Sequence, residues 1–341
     1  MELREERFRR LRAGIQRPAD VDDDAVRRVL RVPPEMAGMR LDRFVQTQLR
    51  ATSRNRSQVI IDHSAFTTDG RRLKKNHRVH ADERVVLWRP PWDADEPDIT
   101  IDEVYADASL IAVNKPPMVV VHPTARHHRS TVALIMEDQR PGEHLTLIHR
   151  LDRETSGVLL MARTRAADRT VKIQFEERRD VEKRYTAICW GTPEWETARC
   201  DLPLAPAVDS RYRVKMGVAP EGTGQEAATT FDVLERRRRG DRTYTKMRCT
   251  LHTGRQHQIR VHLAALGLPI VGDKLYGPDE TIFARGADDE LTDDDLTRLE
   301  LPRQALHASE LVIDHPETGE RLALAAPLFD DMRDFWDALD A

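Results

Sequence analysis

Hydrophobic positions in the first quarter of the chain predict a small folded module at residues 34–90. Apolar residues recur at helical spacing in 41–49 and 53–61, which predicts two short helices. Val79 and the run Val85–Trp88 predict short strands that close the unit. This order of elements indicates a small α/β module.

The regions around this module have different patterns. Residues 1–33 alternate charge signs without an apolar period and are interpreted as a charged N-terminal arm, and residues 91–100 are rich in proline and acid, as in a linker. Residues 101–329 predict one larger domain, which contains an acidic insertion at 278–300. The last residues, 330–341, are interpreted as an acidic tail.

Strand-like runs alternate with helical segments in the larger domain. Ala167, Val171 and Phe175 share one face of a predicted helix over 164–179, and a second helix in QHQIRVHLAALG ends at Gly267. The pattern is typical of a mixed α/β or α+β domain. The predicted strands are SLIAVNK, MVVVHP, GVLLMART, RYTAICWG and TYTKMRCTL.

Composition favours a folded protein with a highly charged surface. Of 341 residues, 40% are hydrophobic and 33% are charged, so a packed core is expected. No apolar run approaches the length of a membrane span, and the charged start differs from a signal peptide. We therefore expect a cytoplasmic protein. Three cysteines, Cys189, Cys200 and Cys249, form no CxxC pair and are expected to be buried thiols.

The net charge of −4 conceals a basic module. Residues 34–90 carry twelve bases and six acids, whereas 278–300 carry two bases and nine acids. The acidic insertion thus masks a region with the charge of a nucleic-acid-binding module. As alternatives, the insertion is a solvated loop, or it gates a cleft or repels the wrong nucleic acid.

The motifs of several enzyme classes are missing from the sequence. The chain has no GxGxxG after a strand, no GxxxxGK[ST], no HExxH and no GxSxG, which argues against dinucleotide, phosphoryl-transfer, zinc-protease and serine-hydrolase sites. His252, His257 and His262 are five residues apart, a spacing that turns about 140° on a helix and does not favour a shared metal.

The segment HRLDRETSG, His149 to Gly157, carries the densest local chemistry. It lies between two strand-like runs and contains charges, hydroxyls and a glycine. From spacing alone, the simpler interpretation is a turn in which Asp152 or Thr155 caps backbone N–H groups. A catalytic loop is the alternative.

Four separated blocks favour the catalytic alternative. In this order along the chain, they resemble the RluA-like branch of the pseudouridine synthases, which isomerise uridine within RNA. A weaker fifth block, QALHASELVIDHP, follows them. The four blocks are NKPPMVVVHP, HRLDRETSGVLL, KRYTAICWG and TGRQHQIRVHLAALGLPIVGDKLYG.

The resemblance implies a fold and a set of roles. The implied fold is α+β, with a mixed, largely antiparallel sheet, peripheral helices and a central catalytic cleft. Asp152 would be the catalytic aspartate, Tyr185 would stack on the target base and Arg255 would pair with Asp152. Arg150 would fill the stack that the flipped base leaves. No cofactor or metal is implied.

The residue types suit this chemistry. An aspartate is ionised at neutral pH and can act as a nucleophile or stabilise charge while the bond from ribose to base is cut. Arginine binds a carboxylate with two hydrogen bonds, and tyrosine offers a flat face and a hydroxyl. Whether Asp152 attacks sugar or base stays open. Lys115, before a diproline, could equally meet an RNA phosphate or be solvated.

Residues 39–88 separately resemble the α-L RNA-binding module of a small-subunit ribosomal protein, although SAFTTDGRR lacks the usual Asn-Gly turn. This resemblance makes the basic side chains of the module candidates for RNA phosphate contacts. Two further departures, Pro117-Met118 and Gln256, leave local loop shape in doubt. The candidate contacts are Arg40, Arg54, Arg56, Lys74 and Lys75.

Other functions remain open at this point. The leading hypothesis is an RNA pseudouridine synthase acting on large-subunit ribosomal RNA, with transfer RNA as another possible substrate and a monomer as the default state. A ribosome-assembly factor with a vestigial pocket would bind RNA without turnover. An N-glycosidase would release free uracil, whereas isomerisation leaves the RNA mass unchanged.

Overall fold

The computed structural model describes residues 15–21, 25–49, 54–89, 99–122, 131–177, 181–220, 222–287 and 290–340, without the side chains of 54–56 and 89. Contacts divide the described residues into two compact units, one within 1–96 and one within 97–341. Among the described residues, no helix has the length and apolar character needed to cross a bilayer.

The N-terminal unit pairs three strands with two helices. Its sheet has the order β1-β3-β2 and is antiparallel throughout. The predicted helices are confirmed, but Val79 lies outside the strands. The separation of a 1–33 arm was wrong, because β1 pairs along its whole length with β3. The elements are β1 (Val26–Arg31), α1 (Leu41–Gln48), α2 (Arg54–Ser64), β2 (Ala65–Phe66) and β3 (Arg84–Arg89).

In its described residues, the second unit is built on a ten-stranded sheet. Its strands pair antiparallel, except for a parallel contact of two residue pairs between β7 and β14. Its main path is β4-β5-β7-β14-β8-β13-β12-β9, with β15 on β14 and β6 on β7, and β10 and β11 form a separate ribbon. The strands are β4 (Asp102–Ala106), β5 (Leu110–Lys115), β6 (Thr146–Leu147), β7 (Ser156–Ala162), β8 (Glu182–Trp190), β9 (Thr197–Cys200), β10 (Leu204–Pro206), β11 (Met216–Val218), β12 (Thr229–Arg239), β13 (Arg242–Leu251), β14 (Leu306–Asp314) and β15 (Arg321–Ala325).

Helices cover this sheet. The central strand β7 is buried along its full length because its residues pack alternately into two hydrophobic clusters, with Val158 and Leu160 in one and Leu159 and Met161 in the other. The α+β class with a largely antiparallel sheet is therefore confirmed. The helices are α3 (Val132–Gln139), α4 (Arg165–Glu177), α5 (Gln258–Ala265), α6 (Ile282–Ala287), α7 (Asp293–Leu299) and α8 (Asp330–Asp337).

Two predicted features of this unit were wrong. The predicted strand MVVVHP is a turn in its described part, with Met118 at a φ of 67° and Val120 in an isolated bridge. The predicted acidic tail contains α8, which buries Met332, Phe335 and Trp336 in the core. Spacing of three and four residues puts these three side chains on one helix face.

The acidic insertion is folded, which excludes the solvated-loop alternative for its described residues. Thr292 and Asp295 form a capping box at the start of α7, and Asp295 also binds Arg285 of α6. At the end of the insertion, the carboxylate of Glu300 accepts hydrogen bonds from Trp190 Nε1 at 2.8 Å and the Tyr244 hydroxyl at 2.6 Å. The insertion is thus tied to strands β8 and β13.

Candidate active site

A cleft of 410 Å³ in the second unit brings distant parts of the chain together. It is lined by the loop before β7, by β8, and by the segment that leads into α5. Four of the sequence-predicted site residues lie in this lining: Arg150, Asp152, Tyr185 and Arg255. The volume is in the range of about 300–1,000 Å³ typical of ligand sites.

Lys115 lies behind the loop that carries Asp152. Its side chain is fully buried, and its Nζ donates to the carbonyl oxygens of Pro116, Val119 and Arg153 at 2.7, 2.7 and 3.1 Å. Burial and the charge of Arg303 lower the pKa of Lys115 to about 7. Both expectations for Lys115, phosphate contact and solvation, were wrong, because three carbonyl groups enclose its ammonium.

The same loop is also held by Lys274 and by Arg303, which lies just before β14. Lys274 Nζ donates to the Glu154 carboxylate at 2.8 Å, and Arg303 Nη1 donates to the Glu154 carbonyl at 3.2 Å. Arg303 is itself buried in a two-point ion pair with Asp331 of α8. The residues next to Asp152 are therefore fixed by buried contacts, which favours one position of its carboxylate.

Arg260, and not Arg255, is the arginine beside Asp152. Arg260 Nη1 lies 3.4 Å from Asp152 Oδ2, while its Nε and Nη2 bind the fully buried Asp273 carboxylate at 2.6 and 2.8 Å. Burial alone would lower the pKa of Arg260, but the two carboxylates outweigh burial and raise it. A permanent cation is thus held against Asp152 by a buried, bidentate partner.

Arg255 lies at the cleft in a different environment. Its Nε donates to the backbone carbonyl of Glu226 at 3.0 Å, and its backbone N–H binds the Gln258 side chain. The predicted pairing of Arg255 with Asp152 was therefore wrong. The physical reason is the backbone at His257, which has a φ of 58° directly before α5, so that residues on the two sides of it face different surroundings.

Tyr185 forms the opposite part of the cleft. It lies in β8 and packs against two hydrophobic clusters, one that includes Ala187 and Leu306 and one that includes Leu151 and Ala308. Burial, together with the charge of Asp152, raises the pKa of Tyr185, so the phenol is protonated at neutral pH. Its ring offers an apolar face and its hydroxyl can donate a hydrogen bond.

His257 and Tyr276 form a second polar contact near Asp152. Burial and the charge of Arg260 lower the pKa of His257 to about 4, so its ring is neutral at neutral pH. The Tyr276 oxygen accepts from the Met216 N–H at 2.9 Å and lies 2.9 Å from His257 Nδ1. If the Tyr276 hydroxyl donates to Nδ1, the His257 proton is on Nε2, which lies 3.9 Å from Asp152 Oδ2.

A glycine allows the loop to join the sheet at this point. Gly157 has a φ of 111°, and a Cβ there would lie 2.2 Å from the Ala308 carbonyl oxygen. The backbones of β7 and β14 meet at this parallel contact, five residues after Asp152. No other residue type fits this approach without a shift of the sheet.

The motif block at 253–277 also holds residues to which the sequence assigned no role. Arg260, Asp273 and Tyr276 all lie in TGRQHQIRVHLAALGLPIVGDKLYG. One signal was available, because Arg260 is flanked by Ile259 and Val261, and a charge among apolar neighbours on a buried helix needs a partner.

The basic candidates of the N-terminal unit differ in their surroundings. Arg40 binds the buried Asp42 carboxylate through Nε and Nη2, and about a third of its side chain is exposed, 35%. Lys74 is exposed, as is Lys75, which lies 3.3 Å from Asp62. The side chains of Arg54 and Arg56 lie outside the described residues.

The site contains no group of three metal-ligating side chains within the described ranges. The three cysteines are buried thiols, as predicted. The cleft thus combines a carboxylate beside a permanent cation, a protonated phenol and a neutral imidazole with three further cations in its lining: Arg150, Lys183 and Arg255.

Comparisons with known proteins agree with this geometry. A model of the RNA pseudouridylate synthase family matches residues 109–265. Two curated proteins named ribosomal large subunit pseudouridine synthase D are similar: that of Pseudomonas aeruginosa is 35% identical over 90% of this chain and 94% of its own length, and that of Vibrio cholerae is 39% identical over 71% of each.

A solved structure has a similar fold. The human RNA pseudouridylate synthase domain containing 1 protein aligns with a TM-score of 0.57 and 25% identity, over 70% of this chain and 89% of that chain. The cleft, the order of its motifs and these similarities lead to one conclusion. The chain belongs to the RNA pseudouridine synthase family.

Proposed function

We propose that this enzyme isomerises uridine in large-subunit ribosomal RNA, with Asp152 as its catalytic residue. The observation that carries the proposal is the position of Asp152, in a cleft between Tyr185 and the Arg260–Asp273 ion pair. The names of the Pseudomonas and Vibrio relatives support the choice of ribosomal RNA.

In the proposed reaction, Asp152 acts on a uridine that has left its helix. Its side chain is 30% exposed, so it can reach the ribose or the base, while Arg260 lies beside it at 3.4 Å and orients it. The bond from ribose C1′ to uracil N1 breaks, the uracil turns, and C1′ joins uracil C5. At the end the proton of C5 leaves and the freed N1 takes up one proton from solvent, so the composition of the RNA is unchanged.

Tyr185 is proposed to contact the flipped base, and Arg150 to fill the gap that the base leaves in the RNA helix. The Tyr185 ring lines the cleft and would stack on the uracil. Arg150 is exposed at the cleft and would occupy the vacated position in the RNA helix. Flipping a base costs about a few kcal/mol, which these contacts would offset.

The N-terminal unit is proposed to bind the RNA backbone as an α-L-type module. Exposed lysines at 74 and 75 support this role, because surface cations bind phosphates through counterion release. Replacing both lysines with glutamine should lower the slope of log affinity against log salt by about 0.7 for each phosphate that is no longer neutralised. An unchanged slope would remove these residues from the interface.

Release of tritium from RNA labelled at C5 of uridine tests the proposed substrate. Wild-type protein is incubated with transcripts of large-subunit ribosomal RNA, small-subunit ribosomal RNA and transfer RNA. Release from the large-subunit transcript alone is the expected result. Release from transfer RNA alone would overturn the substrate, and free uracil would identify an N-glycosidase.

A further inference from the structure

A second groove, of 250 Å³, opens beside the catalytic cleft. The two share one wall, formed by Lys183, Leu251, Gly254 and Arg255, which line both. The groove therefore adjoins the cleft, next to the position of a bound nucleotide.

Arg255 brings an uncompensated charge to this wall. Its Nε is occupied by the Glu226 carbonyl, a neutral acceptor, and its two Nη nitrogens meet no acceptor among the described residues. No carboxylate of the described chain forms an ion pair with it, in contrast to Arg260. A fixed guanidinium with free donors is the geometry that binds phosphate oxygens.

Lys183 places a second cation on the same wall. Its Nζ lies 4.2 Å from the centre of the Phe175 ring, and that ring stacks on His149 with a centroid distance of 5.4 Å. The ring contact favours one location of the ammonium, at the border of cleft and groove. One acid, Glu176, also lines the groove. With Lys183 and Arg255, the formal net charge of the lining is +1.

We propose that this groove binds the phosphodiester group that adjoins the target uridine, through Arg255 and Lys183. The inference rests on the proposed function and deepens it, because it assigns the neighbouring nucleotide a site of its own. In this assignment Arg255 binds the substrate, whereas Arg260 orients the Asp152 carboxylate.

A double-mutant cycle between protein and RNA tests this assignment. The probe is a synthetic RNA hairpin that carries the uridine isomerised in the transcript assay, with a neutral methylphosphonate at either its 5′ or its 3′ phosphate. Affinities of wild type and Arg255→Gln are measured for the all-phosphate hairpin and both neutral hairpins. Lys183→Gln is measured in the same way.

We expect the effect of Arg255→Gln and the effect of the neutral linkage to be non-additive at one of the two phosphates, 5′ or 3′ of the uridine. There, the neutral linkage weakens wild-type binding about tenfold, or about 1.4 kcal/mol, and weakens Arg255→Gln binding little further. Arg333→Gln is the matched control, because it removes one exposed guanidinium charge of the second unit that is paired with Asp330. For Arg333→Gln, the effect of the substitution and the effect of the neutral linkage on affinity should simply add.

Additive losses at both positions, for both variants, would overturn the inference. Thermal unfolding of each variant separates a folding defect from a binding defect, and a variant that fails to fold leaves the other to decide. Failure of the proposed function is a different result, because wild type would then release no tritium from any transcript.

Discussion

Two walls of the catalytic cleft use arginine in opposite ways. On the inner wall, Arg260 is buried and all its charge is matched by Asp273 and Asp152. On the outer wall, Arg255 and Arg150 face solvent or the cleft without a carboxylate partner among the described residues. Arg255 and Arg260 lie in the same motif, TGRQHQIRVH, and the sequence alone does not distinguish their roles.

The difference follows from the cost of burial. A charge removed from water is destabilising unless a partner compensates it, so the inner wall requires a complete set of ion pairs. Exposed cations have no such requirement and remain available to an anionic ligand. The inner wall is therefore suited to chemistry on the base, and the outer wall to the RNA backbone.

Breaking the inner pair should have the largest effect. Arg260→Gln leaves the buried Asp273 carboxylate without its cationic partner, and the free energy of unfolding should fall by about 3–5 kcal/mol, measured by chemical denaturation. Turnover at saturating RNA should fall by at least about a hundredfold, because the cation beside Asp152 is lost.

The double variant Arg260→Gln with Asp273→Asn separates these two losses. With both charges removed, most of the stability should return. Turnover should not return with it. A double variant with restored turnover would show that Arg260 acts only through folding.

Acid should destabilise the fold at His149, at the border of the cleft, in a predictable interval of pH. Burial and the charge of Lys183 lower the pKa of His149 to about 3, and its Nε2 accepts the Leu160 N–H at 3.1 Å. Unfolded histidine binds its proton near pH 6.5, so between pH 6.5 and 3 the unfolded state holds more protons and stability falls as pH is lowered. The contribution of His149 is up to about 1.4 kcal/mol per pH unit.

Denaturation at a series of pH values checks this expectation. His149→Gln should lower stability near pH 7 but should reduce the slope of stability against pH in that interval. An unchanged slope would mean that His149 binds its proton equally in the folded and unfolded states, which contradicts its lowered pKa.

A smaller effect is expected when the Tyr276 hydroxyl is removed. Tyr276→Phe keeps the ring, whose centre lies 4.9 Å from the Arg260 guanidinium carbon, but removes the contact with His257. The turnover number should fall roughly fivefold, the weight of one hydrogen bond of about 1 kcal/mol, with little change in KM. A change in KM alone would place the pair in substrate binding instead.

The smallest effect concerns the turn behind the inner wall. Met118 has a φ of 67°, a strained conformation for any residue with a side chain, and its carbonyl accepts from Arg153 Nε at 3.2 Å. Met118→Gly should raise the free energy of unfolding by about 0.5–1 kcal/mol. Met118→Ala is the matched control and should bring no such gain, because alanine keeps the strain. Equal effects of the two changes would contradict this.

The sequence predicted the parts of the site that depend on motif order. Asp152, Tyr185, Arg150 and Arg255 do line one cleft, and the α+β fold is as expected. The choice between Arg255 and Arg260 depends on the left-handed backbone at His257, a conformation that neither residue type nor spacing specifies.

Other errors have similar physical origins. Lys115 is enclosed by carbonyl groups from two separate segments, a contact that local hydrophobicity cannot indicate. In residues 330–341, the number of acids obscured the helical spacing of Met332, Phe335 and Trp336. Composition describes the exposed face of such a helix and conceals its buried face.

The most direct test of the account compares wild type with Asp152→Asn in tritium release from large-subunit ribosomal RNA. The variant keeps the size of the side chain and removes its charge. The account predicts release by wild type and none by the variant. The variant should keep the circular-dichroism spectrum of the folded wild type and nearly the same RNA affinity. Substantial release by Asp152→Asn would contradict the assignment of Asp152 as the catalytic residue.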